Sequence, residues 1–414
     1  MSKKEKVIFL IDMDAFFASV AVLKNPAFAH KPLVIANNHN KAIISAASYE
    51  ARAYGIKAAM PLNMAKQLYK NLIVTQLDYQ FIETISQRIW ELVKTKFTNL
   101  VEVVSIDEAY VDVTQIWKKY GSVKKLALQI QQTIKRELDL SCSIGVSYNK
   151  FLAKMASDLD KPYGVTIMRA EDIPTKLWNL PIGQMHGVGV ATEEILTNYF
   201  QVTKIGDLIH INPLEIEKQL GKYGLVLSNH ATGFGADEID LKRNLSKSIS
   251  NERTLYQPTS DIEEIEATIR QLTHAITIKL NEENLQAKTM GVILKYRWEN
   301  DQKVAFDKRI HLKHKRKQTT LSYLTDNYET ICTHILECFD NLYQNGKSVA
   351  LIGVFVSNLH PSYHYKQLDL EDLQNEFIAP HHPEVDQVIQ EINFKLKKKK
   401  MFYASNLKKS KTND

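Results

Sequence analysis

The order of hydrophobic and polar residues in the first 170 positions predicts a sheet flanked by helices. Residues 7–11 form a short apolar run, which is the pattern of a buried strand. Apolar residues recur at helical spacing from 79 to 97, which predicts an amphipathic helix. Two further runs, 101–106 and 109–113, predict a neighbouring pair of strands. Because strands are expected in adjacent pairs, the pattern favours an α+β fold over a doubly wound one.

The pattern changes after residue 172. Short helices broken by glycines are predicted from there to about 235, and a polar stretch follows. A second α+β unit is predicted from about 247 to 360, and the tail from 361 is polar and rich in lysine. The predicted order in the second unit is a strand at 249–256, a helix at 261–283, strands at 288–298 and 302–313, a helix at 322–343 and a strand at 348–357.

Composition narrows the class of protein. The chain has 414 residues, of which 44% are hydrophobic, so several domains are expected. A net charge of +6 is mild support for a polyanionic partner. The number of cysteines is odd and no CxxC motif occurs, which indicates reduced thiols in a cytoplasmic protein. No segment reaches the length of a membrane span, and no pattern indicates self-association, so a monomer is expected.

Carboxylates cluster at the ends of two predicted strands. Asp12 ends the first strand, and Asp107 and Glu108 end another. Acids at such positions are costly unless a cation compensates them. Two Mg²⁺ ions would remove the repulsion, activate a primer 3′-hydroxyl and stabilise pyrophosphate. The alternative is that these are ordinary loop acids. Asp14 is interpreted as a cap of the following helix, and Asp112 as structural.

Five motifs stand in order between residues 7 and about 360. They are Asp12-Met-Asp-Ala-Phe-Phe-Ala-Ser-Val, Tyr49-Glu-Ala-Arg-Ala-Tyr-Gly-Ile, Ser105-Ile-Asp-Glu-Ala-Tyr, Ser147-Tyr-Asn-Lys-Phe-Leu-Ala-Lys and Asp160-Lys-Pro-Tyr-Gly. Together they resemble the Y-family DNA polymerases, and within them the bacterial DNA polymerase IV (DinB) branch.

The resemblance implies a right-hand polymerase fold of α+β class with several domains. These are a palm at 1–15 and 79–170, fingers at 16–78, a helical thumb with a helix-hairpin-helix at 171–236, a linker at 237–246, a βαββαβ little finger at 247–360 and a basic tail at 361–414. The implied activity is error-prone, template-directed translesion synthesis in DNA repair, which adds dNTPs to a primer without proofreading.

Residue roles are implied by position in the motifs. Asp12, Asp107 and Glu108 would bind two Mg²⁺ ions with the main-chain carbonyl of Met13, and Phe17 would be the steric gate that excludes a ribose 2′-hydroxyl. The incoming triphosphate would be held by Tyr49, Arg52 and Lys161. Arginine offers a planar fork to phosphate oxygens and lysine a mobile charge, which suits that role.

Two positions depart from the family pattern, and two lysines are secondary candidates. Ala46 stands where the family has threonine, and Ala21 stands where it has glutamate. Neither change touches a predicted metal ligand, so activity is still expected. Lys150 and Lys154 are candidates for phosphate or primer contact, with a solvated surface position as the alternative for Lys150.

The predicted DNA contacts lie in the thumb and the second unit. Gly187 and Gly189 allow a tight turn with exposed backbone N–H groups before a helix, which resembles a helix-hairpin-helix phosphate grip, although such a turn is often only a turn. The basic stretch at 303–317 contains a single acid. Its residues Lys313, Lys315 and Lys317 would share one face of a strand and follow the phosphates.

The tail contains a candidate sliding-clamp peptide. Gln367, Leu368 and Leu370 match the start of the peptide with which related enzymes dock in the clamp, but Glu371 replaces its final aromatic residue. Two alternatives to a polymerase remain. A two-metal nuclease would use the same carboxylates without the nucleotide residues, and a non-catalytic DNA-binding or recruitment protein would have kept only the fold.

Overall fold

The computed structural model describes residues 6–37, 39, 42–76, 78–241, 246–296 and 314–362. They belong to two compact units that divide between Leu245 and Ser246. The predicted strand at 302–313, Lys313 and the candidate clamp peptide lie outside the described residues. In the part that is described, no helix is both long and apolar enough to cross a membrane.

The first unit mixes strands and helices as predicted. Its strands are β1 Ile8–Met13, β2 Leu33–Ile35, β3 Ala46–Ala47, β4 Ile73–Thr75, β5 Val101–Val103, β6 Glu108–Asp112, β7 Cys142–Ser147 and β8 Val165–Ile167. Its α-helices are α1 Phe16–Lys24, α2 Tyr49–Arg52, α3 Leu62–Leu68, α4 Tyr79–Lys96, α5 Val123–Leu138, α6 Lys150–Leu159, α7 Val190–Phe200, α8 Pro213–Leu220 and α9 Lys222–Ala231. The helix predicted at 79–97 is therefore confirmed as α4.

The larger sheet of this unit has the order β5-β6-β1-β7-β8 in the described residues. The central strand β1 pairs antiparallel with both β6 and β7. Phe9 and Ile11 pack into the core formed with α4 and α5, and Leu10 packs on the opposite side with Ala153 of α6. Because helices cover both faces, every residue of β1 is buried. This explains the continuous apolar run.

Helix α6 approaches the sheet closely because β7 carries a glycine. A Cβ atom at Gly145 would lie 2.0 Å from the carbonyl oxygen of Ala153 and 2.3 Å from the nitrogen of Ser157. Any larger residue would push α6 away from the sheet. The glycine therefore sets the distance between the sheet and the lysines that α6 carries.

A smaller sheet of order β3-β2-β4 carries α2 and α3. The apolar residues within 42–45 predict a short strand, but the structure has no strand there, and Ile43 makes an isolated bridge to Pro61. The paired residues are instead Ala46 and Ala47, opposite β2. Downstream of β8, a third core unites α6 with α7, α8 and α9.

The second unit is a four-stranded antiparallel sheet of order β11-β10-β12-β9 with two helices on one face. Its elements are β9 Ser248–Thr259, α10 Ile262–Glu282, β10 Leu285–Tyr296, β11 His314–Thr325, α11 Tyr328–Leu342 and β12 Val349–Pro361. The predicted helix start at 322 is wrong. Ser322 to Thr325 continue β11, and α11 begins where the side chain of Asn327 accepts a hydrogen bond from the backbone of Thr330.

Candidate active site

Two of the predicted carboxylates face each other across paired strands. Asp12 and Glu108 are direct partners in the register of β1 and β6. The alternation along β1 puts Asp12 on the same face as Ile8 and Leu10, which is the face covered by α6. Asp12 is only 5% exposed. The strand pairing therefore forces two acids together in a largely buried corner.

Two lysine ammonium groups compensate this pair. The Nζ atom of Lys154, on α6, lies 2.9 Å from Oδ2 of Asp12 and 2.6 Å from Oε1 of Glu108. The Nζ atom of Lys161 lies 2.6 Å from the same Asp12 oxygen and 2.7 Å from Oδ1 of Asp158. A cation that binds Asp12 and Glu108 would therefore have to compete with these two lysines for the carboxylate oxygens.

The ionisation of the two acids is split by this arrangement. Burial alone raises the pKa of Asp12, but its hydrogen bond with Glu108 and the charges of Lys154 and Lys161 outweigh burial and leave that pKa below its usual value. Burial and the hydrogen bond with Asp12 raise the pKa of Glu108 to about 7, against the opposing effect of Lys154. Near neutral pH, Glu108 therefore holds a proton part of the time, and a divalent cation would displace it.

Asp107 lies next to this pair but is turned to a different partner. Its carboxylate accepts a hydrogen bond from the hydroxyl of Ser105 at 2.7 Å. Its main-chain carbonyl accepts the N–H of Met13, the residue whose own carbonyl is the predicted fourth ligand, at 3.0 Å. Among the described residues, no three His, Cys, Asp or Glu side chains converge closely enough to hold a metal ion. The donor set is nevertheless all oxygen, which suits a hard divalent cation.

The predicted nucleotide residues Tyr49 and Arg52 share one face of α2, as their spacing requires. The guanidinium carbon of Arg52 lies 4.7 Å from the centre of the Tyr49 ring, and its Nε donates to the carbonyl of Ala47 at 3.1 Å. The hydroxyl of Tyr49 donates to Oδ1 of Asp14 at 3.4 Å. Side chains of α2 thus reach towards the residues that follow β1.

Asp14 does not cap α1, so that prediction is wrong. The N-cap residue is Ala15, which has left-handed backbone angles and makes no side-chain cap. The carboxylate of Asp14 instead accepts hydrogen bonds from Ser143, Tyr49 and the backbone of Tyr163. Burial raises the pKa of Asp14, although hydrogen bonds from Ser143, Tyr163 and Ser141 and the charge of Lys161 oppose the rise. Asp112 is structural as interpreted, since it pairs with Lys6 at 2.7 Å.

Phe16 and Phe17 differ in environment. Phe16 is buried in the core, whereas Phe17 is half-buried at the wall of a cavity of about 400 Å³. Ala21 lines the same cavity one turn further along α1. The position where the family pattern has glutamate therefore borders open space in this chain. An ion pair of Lys24 with Asp78 lies at its edge.

Models of one protein family and its associated domains match successive stretches of this chain. The model of the impB/mucB/samB family matches residues 11–158, the model of its HHH motif matches 170–199, and the model of its C-terminal domain matches 246–370. DNA polymerase IV of Bacillus anthracis is 34% identical over 375 residues, which cover 89% of this chain and 86% of that protein. DNA polymerase IV 1 of Bacillus subtilis is 34% identical over 415 residues, which cover 99% and 95%.

This chain belongs to the Y-family of DNA polymerases, in the DNA polymerase IV branch. A solved chimera of the Y-family DNA polymerases Dbh and Dpo4 has the same fold, with a TM-score of 0.70 and 27% identity over 85% of this chain and 98% of the chimera. The α+β, multidomain fold class predicted from the sequence is confirmed.

In this Y-family chain, the glycine turn before α7 has the geometry of a helix entry. Gly187 has φ of 95°, where glycine is favoured, and a Cβ atom there would lie 2.1 Å from the hydroxyl of Tyr223. That hydroxyl donates to the carbonyl of Gly187 at 3.0 Å. Gly189 is the N-cap of α7, so no side chain of the N-cap residue covers the helix N-terminus, and Glu193 lies in the first turn.

Basic residues of β11 lie on both faces of the second sheet. Lys315 and Lys317 pair with Leu294 and Val292, which belong to the core under the helices, so these two lysines share the helix-covered face. Arg316 lies on the opposite, open face, where its guanidinium stacks 3.7 Å from the centre of the Phe355 ring. The sequence pattern placed the lysines together correctly but did not single out Arg316.

The two secondary lysines of α6 have separate partners. Lys150 pairs with the buried Glu102, so it is not the solvated surface residue that the alternative describes. Lys154 is predicted to contact phosphate or primer, and the structure shows that its ammonium group bridges the two acids. Its i, i+4 spacing to Asp158 is the sequence signal for this acidic environment.

Proposed function

We propose that this chain is a template-directed translesion DNA polymerase that extends a primer by two-metal catalysis with Mg²⁺. The observation that carries the proposal is the opposed pair Asp12 and Glu108, which the strand register holds in a buried corner beside Asp107. Membership of the family supplies the reaction class.

Asp12, Asp107, Glu108 and the carbonyl of Met13 would hold the metal ions. Mg²⁺ bound there would lower the pKa of the primer 3′-hydroxyl and would stabilise the negative charge of the leaving pyrophosphate. To join that donor set, the carboxylate of Asp107 would have to turn away from its partner Ser105. Burial opposes the charge of Lys154, but Asp12 and Glu108 outweigh burial and raise its pKa above the usual value.

Tyr49, Arg52 and Lys161 would hold the triphosphate. Lys161 pairs with Asp12 and Asp158, and it would exchange the Asp12 oxygen for a phosphate oxygen of a bound nucleotide. Arg52 is exposed and its ring contact with Tyr49 orients it, which leaves its fork available to phosphate oxygens. Phe17 would contact the sugar of the nucleotide as a steric gate. None of the proposed metal or triphosphate residues lines the cavity beside Phe17, so that cavity is not proposed as the nucleotide site.

Primer-template DNA would be held by the turn at Gly187 and Gly189 and by the edge strand β11. On β11 the contacts would come from Arg316 on the open face and from Lys315 and Lys317 at the edge of the helix-covered face. No side chain caps the N-terminus of α7, which suits a phosphate group. These elements would give a palm, fingers, thumb and little finger with the bounds predicted from the sequence. Clamp binding through Gln367, Leu368 and Leu370 also remains a proposal.

The test is primer extension on a primed template with Mg²⁺ and each dNTP or NTP. The wild type is expected to add templated dNTPs, Asp107→Ala to add none, and Phe17→Ala to accept NTPs. Asp112→Ala is the matched control, because it removes a carboxylate at the far end of β6. A wild type that binds primed DNA without extending it would refute the proposal in favour of recruitment alone. Primer shortening in Mg²⁺ without nucleotides would point to a nuclease.

A further inference from the structure

Asp14 is a buried acid that the proposed chemistry does not use. It is 3% exposed, and its two oxygens are shared among donors from three separate parts of the first unit. Ser143 of β7 donates to Oδ1 at 2.7 Å, and the hydroxyl of Tyr49 of α2 donates to the same oxygen at 3.4 Å. The backbone N–H of Tyr163 donates to Oδ2 at 2.9 Å.

Two of these donors belong to segments that carry the proposed triphosphate contacts. Tyr49 is one of those residues itself. Tyr163 lies two positions after Lys161, in a turn where its own φ of 61° is in the left-handed region. A tyrosine rarely adopts that conformation unless its surroundings fix it. The hydrogen bond from its N–H to Asp14 is such a constraint.

Ser143 provides the fixed point of this network. It lies opposite Asp12 in the register of β1 and β7 and is completely buried. The backbone N–H of Asp14 also donates to the carbonyl of Ser141 at 3.0 Å. The sheet thus holds Asp14 firmly, while the carboxylate holds two segments that lie outside the sheet.

We propose that Asp14 is a positioning residue for the incoming nucleotide, which links Tyr49 and the Lys161 turn to the central sheet. The inference rests on the proposed function, since it concerns how the same site binds dNTP. Asp14 touches neither reacting atoms nor phosphate. It acts by fixing the places from which Tyr49 and Lys161 meet the triphosphate before it arrives.

The test compares Asp14→Ala and Asp14→Asn. Alanine removes both acceptors, whereas the amide oxygen of asparagine still accepts the Tyr163 N–H and its NH₂ group donates to the two hydroxyls, which accept as well as donate. Affinity for the next dNTP is measured on a dideoxy-terminated primer-template with Mg²⁺, and kcat and KM are measured on an extendable primer.

Asp14→Ala is expected to weaken dNTP binding about tenfold with little change in kcat, as loss of hydrogen bonds to a charged group predicts. Asp14→Asn is expected to stay within about threefold of the wild type. Asp112→Ala is the matched control, because it also removes a buried carboxylate with two hydrogen-bond donors. Asp112 lies at the end of β6 opposite to Glu108, and neither Tyr49 nor Lys161 is among its donors. The dNTP affinity of Asp112→Ala should equal that of the wild type.

Three results would overturn the inference. The first is an unchanged dNTP affinity in Asp14→Ala. The second is a decrease of kcat in Asp14→Ala without any decrease of dNTP affinity, and the third is an equal decrease of dNTP affinity in Asp112→Ala. If Asp14→Ala does not fold, Asp14→Ser takes its place with the same expected loss. A wild type that fails to bind dNTP at all would count against the proposed function and not against this role of Asp14.

Discussion

The change Lys154→Met removes the ammonium group that bridges Asp12 and Glu108 and keeps the length of the side chain. The lysine side chain is 10% exposed and lies within 2.9 Å of both acids. Breaking a buried ion pair leaves an unpaired charge and costs about 3–5 kcal/mol. Glu108 can take up a proton and so lose its charge, which places the expected loss of unfolding free energy at the lower end of that range, about 3 kcal/mol without metal. For a unit of this size that corresponds to a fall of about 6–12 °C in Tm.

The sign of the pH dependence follows from Glu108. Its pKa is raised from 4.5 to about 7, so the folded protein keeps a proton that the unfolded chain releases. Its stabilising contribution is present below pH 4.5 and is lost as the pH rises through about 7. The loss of stability in Lys154→Met should therefore be greater at about pH 8 than at about pH 6. Mg²⁺ would supply the missing charge, so it should stabilise Lys154→Met more than the wild type.

The assay is the first thermal unfolding transition of both proteins in EDTA and in Mg²⁺, at both pH values. Lys150→Met is the matched control, one helical turn earlier on α6, where the lysine pairs with Glu102 and not with the carboxylate pair. Its loss of stability should not depend on Mg²⁺. An equal loss for Lys154→Met in EDTA and in Mg²⁺ would refute the reasoning.

Two further predictions concern packing and pH. Gly145→Ala should destabilise the first unit by about 3 kcal/mol in urea unfolding, because the new methyl group would overlap the Ala153 carbonyl; a change in the unfolding midpoint close to zero would contradict the close approach of α6. His230 stacks on Phe151 at 4.0 Å, and burial, with a smaller effect of the His186 charge, lowers its pKa to about 4. The stabilising contribution of neutral His230 is present above about pH 6.5 and is lost as the pH falls towards 4. His230→Phe should therefore lose less unfolding free energy than the wild type between about pH 7.5 and about pH 5. An unchanged slope of unfolding free energy against pH would count against this.

Much of the candidate site could be predicted from the sequence because it depends on local pattern. The buried strand β1 and the acid at its end were visible as an apolar run followed by Asp12, and the helical spacing of Tyr49 and Arg52 placed both on one face. Errors occurred where a short segment has no clear period. Residues 42–45 make one isolated bridge and scattered backbone hydrogen bonds but form no strand, and Ser322 extends a strand where a helix is predicted.

The fold class, the order of the elements and the acids that end the strands follow from local sequence, since hydrophobic periodicity and strand-end acids are properties of neighbouring residues. Which charges meet depends on tertiary packing. Asp12, Glu108 and Lys154 come from β1, β6 and α6, and only the strand register and the close approach at Gly145 bring them together. Asp14 likewise changed from an expected helix cap to a link between Tyr49 and Tyr163, because its partners lie 35 and 149 positions away. Contacts at such separations depend on how the chain packs, which no local pattern encodes.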